Sequence, residues 1–311
     1  MNNLAPICLF VYNRLLETQE TIKALQDNYL ANESDLIIFS DGYKSDNDKI
    51  GVMNVRIFIK NIQGFNSVKV YCSRSNKGLA NSVIDGVSLV LKTSGTVIVL
   101  EDDLITTPNF LDFMNQGLSY YKKFNNVYAV NGYSPDIGKV SFDLFKAKRA
   151  FPWGWATWKD RWDKDILSDN YISKNINKSV LKKFKNECGA DVVNMLRDTL
   201  IGKNSSWYIR WVFINFLEKK VSIFPVKSKV MNIGFTDRGT HCSTISAYKS
   251  QLDKTFFREF NFIDLEDIKL VMNSFLRYFS FSYKLLFRIK MLRSLHGFRL
   301  LFREFKNKII L

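Results

Sequence analysis

Residues 7–124 alternate short apolar runs with longer segments whose apolar residues recur at helical spacing. The predicted strands are Ile7–Tyr12, Leu36–Ser40, Val68–Ser73 and Thr96–Leu100. The predicted helices are Leu16–Tyr29, Asp48–Ile62, Leu79–Leu91 and Pro108–Phe124. This order predicts an α/β fold with a mixed, mostly parallel sheet and helices on both faces. The 311 residues suffice for one large domain, or for one domain with an appendage.

Polar residues follow each of these predicted strands. The four groups are Asn13-Arg14, Asp41-Gly42, Arg74-Ser75-Asn76-Lys77-Gly78 and Glu101-Asp102-Asp103. Because ligands bind beyond the carboxyl ends of the strands in open parallel sheets, we expect the four groups to converge on one edge. That convergence predicts a binding site.

The acidic triplet Glu101-Asp102-Asp103 directly follows the apolar run VIVL. Three adjacent carboxylates repel one another, and a bound cation relieves that repulsion. Carboxylate oxygens suit Mg²⁺ or Mn²⁺, which one or two carboxylates commonly bridge to substrate phosphates. A solvated acidic turn is the alternative, and the position on a shared polar edge favours the metal site.

The alternation weakens after residue 125. We predict further strands over Val127–Tyr133 and Val221–Ile233, and helices over Ser179–Leu200 and Trp207–Lys219. In the segment 151–163, Trp155, Trp158 and Trp162 are spaced three and four residues apart, which predicts one helical face that packs in the core.

An ordered set of short motifs resembles a known enzyme family. The motifs are YNR at Tyr12–Arg14, FSDG at Phe39–Gly42, NKGLANSV at Asn76–Val83, VLEDDLITTPNFLDF at Val99–Phe113, GWATWKDRW at Gly154–Trp162, SSWYIRW at Ser205–Trp211, and NIGF and GTHC within Asn232–Cys242. Over about residues 5 to 245 the chain resembles GT-A glycosyltransferases. Within that fold it is most similar to the branch of N-acetylglucosaminyltransferase I and bacterial polysaccharide (O-antigen and capsule) transferases. The resemblance implies a Rossmann-like nucleotide-diphospho-sugar transferase fold and transfer of a sugar, with UDP the expected nucleotide, to a growing surface glycan.

The resemblance also implies roles for individual residues. Asp103 would bind Mn²⁺ or Mg²⁺ directly, with His241 as a second metal or phosphate contact or, equally, a structural loop histidine. The remaining donor-side residues are Arg14 near the diphosphate, Asp41 at the base, Asn76 and Lys77 in the third polar group, and Glu101 and Asp102 at the ribose, the metal's waters or the donor sugar. Trp153, Gly154 and Trp155 would border the donor sugar and the acceptor.

The sequence departs from the family pattern at the catalytic base. An inverting transferase needs a carboxylate to take the proton of the acceptor hydroxyl. The resembling enzymes commonly place an Asp just before the Trp of the later helix, where this chain has Ser205-Ser206. The candidate substitutes are Asp160, Asp163, Asp198 and Asp237.

Two other functions stay open at this point. The two serines raise the alternative of a catalytically silent binding module that keeps the fold. A nucleotidyltransferase acting on sugar phosphates would share the sheet and the acidic metal site. It would normally carry a Gly-rich loop after the first strand, which PICLFVYNR lacks.

The positive charge is concentrated at the C-terminal end. From Arg277 to Leu311 there are nine Lys or Arg and one Glu, so this segment carries 9 − 1 = +8 of the net charge of +15. Aromatic and aliphatic residues lie between these charges at helical spacing, which favours an interfacial helix on an anionic membrane. The alternative is a pair of helices packed on the catalytic domain.

We predict two units, a catalytic domain over 1–245 and a basic helical extension over 246–311. Nucleic acid is not expected as a partner, because no zinc-ligand spacing, RNA-binding signature or helix-turn-helix pattern is present.

The compartment is predicted from two features. The first apolar run, Ile7–Tyr12, is too short for a secretory signal, and Cys8, Cys72, Cys188 and Cys242 are predicted to be buried free thiols. We therefore expect a cytoplasmic protein, peripheral on the inner face of the cell membrane, where a glycan or lipid-linked glycan acceptor would be reached.

Overall fold

The computed structural model describes residues 4–163, 165, 167–234 and 250–293. The strands are β1 Ile7–Val11, β2 Asp35–Ser40, β3 Ser67–Cys72, β4 Thr96–Glu101, β5 Leu104–Thr106, β6 Val127–Asn131, β7 Leu144–Ala147, β8 Trp155–Trp158, β9 Val221–Pro225, β10 Val230–Asn232 and β11 Lys269–Leu270. The helices are α1 Leu15–Gln26, α2 Asp46–Ile59, α3 Leu79–Ser94, α4 Phe110–Tyr121, α5 Asp169–Lys174, α6 Lys178–Cys188, α7 Val192–Leu200, α8 Trp207–Leu217, α9 Asn273–Leu276 and α10 Phe281–Met291. In these ranges no helix combines the length and apolar character needed to cross a membrane.

Within the described residues, one nine-stranded sheet has the order β11-β7-β9-β6-β8-β4-β1-β2-β3. Strands β1 to β4 are parallel to one another, and β6 and β9 are parallel to each other. Strand β8 lies antiparallel between β4 and β6, and β7 is antiparallel to β9. Strand β10 pairs separately with β5. The prediction of an α/β fold with a mixed, mostly parallel sheet is confirmed.

Each face of the sheet carries its own core. Alternate residues of β1 point to opposite faces, so Leu9 packs with residues of α1 and α2, and Phe10 packs with residues of α3 and α8. A strand buried on both faces is apolar at every position, which explains the unbroken run ICLFV.

The prediction of a tryptophan helix is wrong, although the predicted burial of its residues is confirmed. Trp155 and Trp158 are the ends of β8 and pack on opposite faces of the sheet. A 3₁₀ turn, Lys159–Arg161, follows. The position between β4 and β6 overrides the helical spacing, because a central strand needs large apolar residues on both faces.

Several other boundaries differ from the predictions. The predicted helix Ser179–Leu200 is two helices, α6 and α7, which separate at Gly189 with a φ of 122°, a conformation that favours glycine. The predicted strand Val221–Ile233 is likewise two strands, β9 and β10. Helix α4 begins two residues after Pro108. Cys8 and Cys188 are buried as predicted, Cys72 on the edge strand β3 is exposed, and Cys242 lies outside the described residues.

The predicted boundary at residue 245 does not separate two cores. Strand β11 pairs with β7 in the main sheet, and Phe275 and Phe279 are buried among its residues. The segment 250–262 packs on α4, where Phe260 and Phe262 contact Phe113. Residues 250–279 therefore belong to the same core as the sheet.

A buried ion pair ties this later segment to the domain. The Nζ of Lys229 donates to Asp253, and only 5% and 2% of the two side chains are exposed. Asp253 also accepts from the hydroxyl of Thr255 at 2.7 Å and from Asn109 at 3.1 Å. Burial raises the pKa of Asp253, but the hydrogen bonds from Lys229, Thr255 and Asn109 outweigh it and lower the pKa to about 2.

Replacing Lys229 should be costly, because Lys229→Met leaves the Asp253 carboxylate buried without its cation. We expect the free energy of unfolding, measured by urea titration, to fall by about 3–5 kcal/mol. Lys23→Met is the matched control, since Lys23 pairs with Asp27 on the surface with 70% and 52% of the side chains exposed. The control should lose at most about 1 kcal/mol. Equal losses in the two variants would contradict the importance of the buried pair.

Candidate functional site

The acidic triplet lies where β4 ends and meets the start of α1. Asp102 and Asp103 are buried, and the Arg14 guanidinium contacts both of them, at 3.1 Å for Asp103 Oδ2. The backbone N–H of Tyr12 donates to Asp102 at 3.2 Å. The structure thus brings together the first and fourth polar groups, as the parallel β1–β4 pairing requires. We call Arg14, Glu101, Asp102 and Asp103 the acidic cluster.

The acidic cluster carries more negative than positive charge when ionised, since three carboxylates and one guanidinium sum to 1 − 3 = −2. Burial raises the pKa of Asp102 to about 6, against the lowering influence of Arg14. Burial, together with the charges of Asp103 and Asp102, raises the pKa of Glu101 to about 8. The cluster therefore favours an additional positive charge.

The residues present fit a divalent cation at Asp103. Its Oδ1 is buried and has no hydrogen-bond partner among the described residues, while Oδ2 faces Arg14. No group of three or more His, Cys, Asp or Glu in the described part of the chain is arranged to hold an ion. A cation at Asp103 would thus depend on oxygens of water and of a bound phosphate, as Mg²⁺ commonly does. The predicted ligand His241 lies outside the described residues, and so does Asp237.

Gly234 approaches the Asp103 side chain closely and was missed as a site residue in the sequence. A Cβ at this position would lie 2.1 Å from Asp103 Oδ2. The N–H of Ile233 also donates to the Asp103 carbonyl at 2.9 Å. The signal available in the sequence was the glycine of NIGF directly after a predicted strand.

The second and third polar groups form the other half of the edge. The Asp41 carboxylate accepts from the backbone N–H groups of Lys77 and Gly78, both at 2.9 Å, and Asn76 donates to the Gly42 carbonyl at 2.7 Å. A Cβ on Gly42 would lie 2.4 Å from the backbone of Ser75, so this close packing requires glycine. Asp41 thereby fixes the loop that carries Asn76 and Lys77.

A cavity of about 260 Å³ opens beside this loop. Its lining includes Phe39, Asp41, Tyr71, Cys72, Lys77 and Leu89. The rings of Phe39 and Tyr71 stack with centroids 5.2 Å apart. The placement of Asp41 beside an apolar cavity is compatible with its predicted role at a nucleoside, which stays a prediction.

The Trp153-Gly154 turn reaches the same edge because β8 pairs Trp155 with Val99 near the end of β4. Gly154 has a φ of 68°, and its carbonyl accepts from Gly132 at 2.7 Å. The half-buried Trp153 ring packs edge-on against Tyr133, with centroids 4.6 Å apart. Trp155 is fully buried, so its predicted contact with a sugar is wrong and it is a core residue.

Helix α8 joins the acidic cluster through its first residue. The side chain of Trp207 lies beside Glu101 and lowers the pKa of that carboxyl against the larger effect of burial, and its ring stacks on Trp155 with centroids 5.1 Å apart. Ser206 caps this helix by accepting from the N–H of Ile209 at 3.4 Å. The segment with serines in place of the expected acid therefore does lie beside the acidic cluster, and Trp207 is a site residue that the sequence reasoning missed.

Among the described candidate bases, Asp160 lies away from the acidic cluster. Strand β8 pairs Trp158 with Thr96 at the start of β4, so Asp160 follows at the opposite end of the sheet and its prediction as a base is wrong. Asp198 lies on α7, where its carbonyl accepts from the N–H groups of Lys203 and Asn204 in the turn toward α8. Asp198 as a base stays a prediction.

No family model matches the sequence, and no curated protein matches it. The mannosyltransferase PcManGT from Pyrobaculum calidifontis, solved with GDP-Man and Mn²⁺, is 10% identical at a TM-score of 0.35, over 50% of this chain and 45% of that one. S. aureus TarS residues 1–349 are 11% identical at a TM-score of 0.38, over 74% and 60% of the two chains. A UDP-glucose pyrophosphorylase complexed with UDP-glucose is 12% identical at a TM-score of 0.34, over 71% and 90%. The similarity is one of fold, and this chain spans 45% and 60% of the first two structures.

The raised pKa of Glu101 should make stability depend on pH. Its folded value of about 8 lies above the ordinary value of about 4.3 for an unfolded chain. Between these values the unfolded chain releases the proton first, so stability is lost as pH rises through this window. Glu101→Gln removes the titration. We therefore expect its melting temperature, measured with EDTA present, to rise relative to wild type between mildly acidic and mildly alkaline pH.

The matched control for this experiment is Glu33→Gln, which changes an exposed glutamate in a 3₁₀ turn. The difference in melting temperature between this variant and wild type should not change across the same pH range. If the difference for Glu101→Gln were equally independent of pH, the burial of Glu101 would not shift its titration.

Proposed function

We propose that this protein is a metal-dependent glycosyltransferase that takes a sugar from a nucleoside diphosphate donor, with UDP the expected nucleotide, and passes it to a surface-glycan acceptor. The observation that supports it is the acidic cluster at the carboxyl end of β4. There Arg14 lies beside Asp103, whose Oδ1 has no hydrogen-bond partner in the described part of the chain. A cationic side chain beside a cation-binding carboxylate suits a diphosphate leaving group, whose negative charge grows as the glycosidic bond breaks.

Each residue of the acidic cluster would have a separate role in binding the donor. Asp103 would hold Mn²⁺ or Mg²⁺, which when bound stabilises charge on the diphosphate. Arg14 would donate to the phosphate oxygens. Asp102 accepts from the N–H of Tyr12, which fixes its carboxylate, and the carboxylate in turn orients the Arg14 guanidinium. Glu101, which lies beside the Trp207 side chain, would face the donor sugar.

The two flanks of the cluster would bind the rest of the substrates. Asp41, with the loop that carries Asn76 and Lys77, borders the cavity in which the nucleoside would lie. Trp153 and Gly154 lie on the other flank and would border the sugar and the acceptor. The base that takes the acceptor proton, for which Asp237 and Asp198 are candidates, belongs to the same proposal.

One incubation separates this proposal from its rivals. The protein is mixed with Mn²⁺ and a panel of nucleotide sugars, and the products are identified. Metal-dependent release of nucleoside diphosphate supports glycosyl transfer. Pyrophosphate formation or consumption would indicate a nucleotidyltransferase, and donor binding without turnover would indicate a silent binding module.

Asp103→Ala should remove the metal-dependent part of the activity. We expect release of nucleoside diphosphate to fall by about 100-fold or more, and the gain in UDP affinity on adding Mn²⁺, measured by calorimetry, to disappear. Asp160→Ala is the matched control, since Asp160 lies at the opposite end of β4 and is largely exposed. Unchanged metal-dependent binding in Asp103→Ala would overturn the metal assignment.

Gly234→Ala should weaken the same site without removing a ligand. The new Cβ would meet Asp103 Oδ2 at 2.1 Å, so the carboxylate or the chain must move. We expect Mn²⁺-dependent UDP affinity to fall by about 10-fold or more, as for loss of a group that orients a metal ligand. Gly202→Ala is the control for backbone strain alone, because its Cβ would enter open space while its φ of 75° is one that alanine rarely adopts. Equal affinities in both variants would show that Asp103 does not depend on the glycine.

A further inference from the structure

Helix α10 is joined to the domain by a buried anchor. Phe275, Tyr278 and Phe279, which directly precede it, are almost fully buried. The guanidinium of the buried Arg149 lies 3.7 Å from the Phe279 ring centroid, and Phe279 also packs on Phe151. Ser280 then caps α10 by accepting from the N–H of Tyr283 at 3.2 Å. The helix is therefore held against the domain and not attached by a loose tether.

The two sides of α10 differ in exposure. Tyr283, Phe287 and Met291, spaced four residues apart, are half-buried, and the Tyr283 ring packs against Tyr278 with centroids 4.9 Å apart. The opposite side carries four large aliphatic residues with exposed fractions of 45% to 57%. These residues, which we call the apolar stripe, are Leu285, Leu286, Ile289 and Leu292. The stripe continues one residue past the end of the helix.

Basic residues border the apolar stripe. At 100° per residue, Arg288 and Lys290 flank it on its two sides and Arg293 lies at its end, and all three are exposed. Residues 281–293 contain four basic residues and no acidic one. Apolar residues in the centre with long cationic side chains at the margins are the pattern of a helix that lies in a membrane interface.

We propose that the apolar stripe of α10 docks on an anionic lipid bilayer, with Leu285, Leu286, Ile289 and Leu292 entering the interface and the flanking cations contacting lipid headgroup phosphates. The positive charge beside the apolar stripe favours an anionic bilayer over a second copy of the chain. A second copy of the chain would bring its own cations against those of the first, whereas an anionic bilayer attracts them by about 1 kcal/mol for each basic residue near its surface. This proposal does not depend on the proposed enzymatic activity.

The test measures cosedimentation of the full-length protein with vesicles of phosphatidylcholine alone and with added phosphatidylglycerol. Wild type should bind the anionic vesicles and release them at high salt. Leu286→Ser/Ile289→Ser should lower the partition coefficient about tenfold or more, because two large side chains no longer enter the bilayer. Ile50→Ser/Ile57→Ser, which removes two exposed isoleucines from α2, is the matched control and should bind as wild type does.

A second variant examines the charges alone. Arg288→Gln/Lys290→Gln should lower binding to anionic vesicles by about 25-fold, at about fivefold for each charge, and leave binding to neutral vesicles unchanged. Unaltered binding in either α10 variant, or a wild-type dimer that the serine variant dissociates, would overturn the proposal. Nucleotide-sugar turnover without vesicles should be equal in all variants, so the membrane proposal and the enzymatic proposal fail separately.

Discussion

The contact of Arg14 with Asp102 and Asp103 is the interaction on which the site depends. Buried carboxylates at a strand end are costly unless a cation faces them. The residue after β1 supplies that cation because parallel pairing brings the ends of β1 and β4 to the same edge. Burial raises the pKa values of Glu101 and Asp102, and one guanidinium does not neutralise three carboxylates. Asp103 keeps a buried oxygen that has no hydrogen-bond partner among the described residues. This imbalance is the physical basis of our proposal that the site binds a metal and a diphosphate together.

Aromatic packing on one face of the sheet supports this edge. Strand β8, inserted antiparallel beside β4, places Gly154 level with the end of β4 and sends Trp155 into the core with Trp207 and Trp211. That aromatic packing sets the position of α8, whose first residue lies beside Glu101. The packing of these tryptophans thus positions Glu101 within the acidic cluster.

The spacing of apolar residues was enough to predict those strands and helices whose own sequence shows the period of the element. The first four strands and helices were predicted within a few residues of their observed bounds. Strands β1 and β4 are buried on both faces and read as unbroken apolar runs, and the helices show apolar residues at helical spacing. The polar residues after β1, β2, β3 and β4 were predicted to meet, since their convergence follows from parallel pairing alone. Pattern failed for Trp155 and Trp158, whose spacing suits a helix although their place is in a central strand. It also failed at residue 245, because the pairing of β11 with β7 joins residues more than a hundred positions apart.

The amino-acid sequence by itself determined the α/β class, the strands of the parallel half, and the polar residues that stand at their carboxyl ends. Only the tertiary structure decided that Asp41 holds the Asn76–Gly78 loop, that Gly234 packs against Asp103, and that Asp160 lies at the far end of the sheet. It also decided which side of α10 is exposed. The reason is physical: element type follows from the spacing of apolar residues along the chain, whereas the neighbours of a side chain depend on strand order and packing between distant segments.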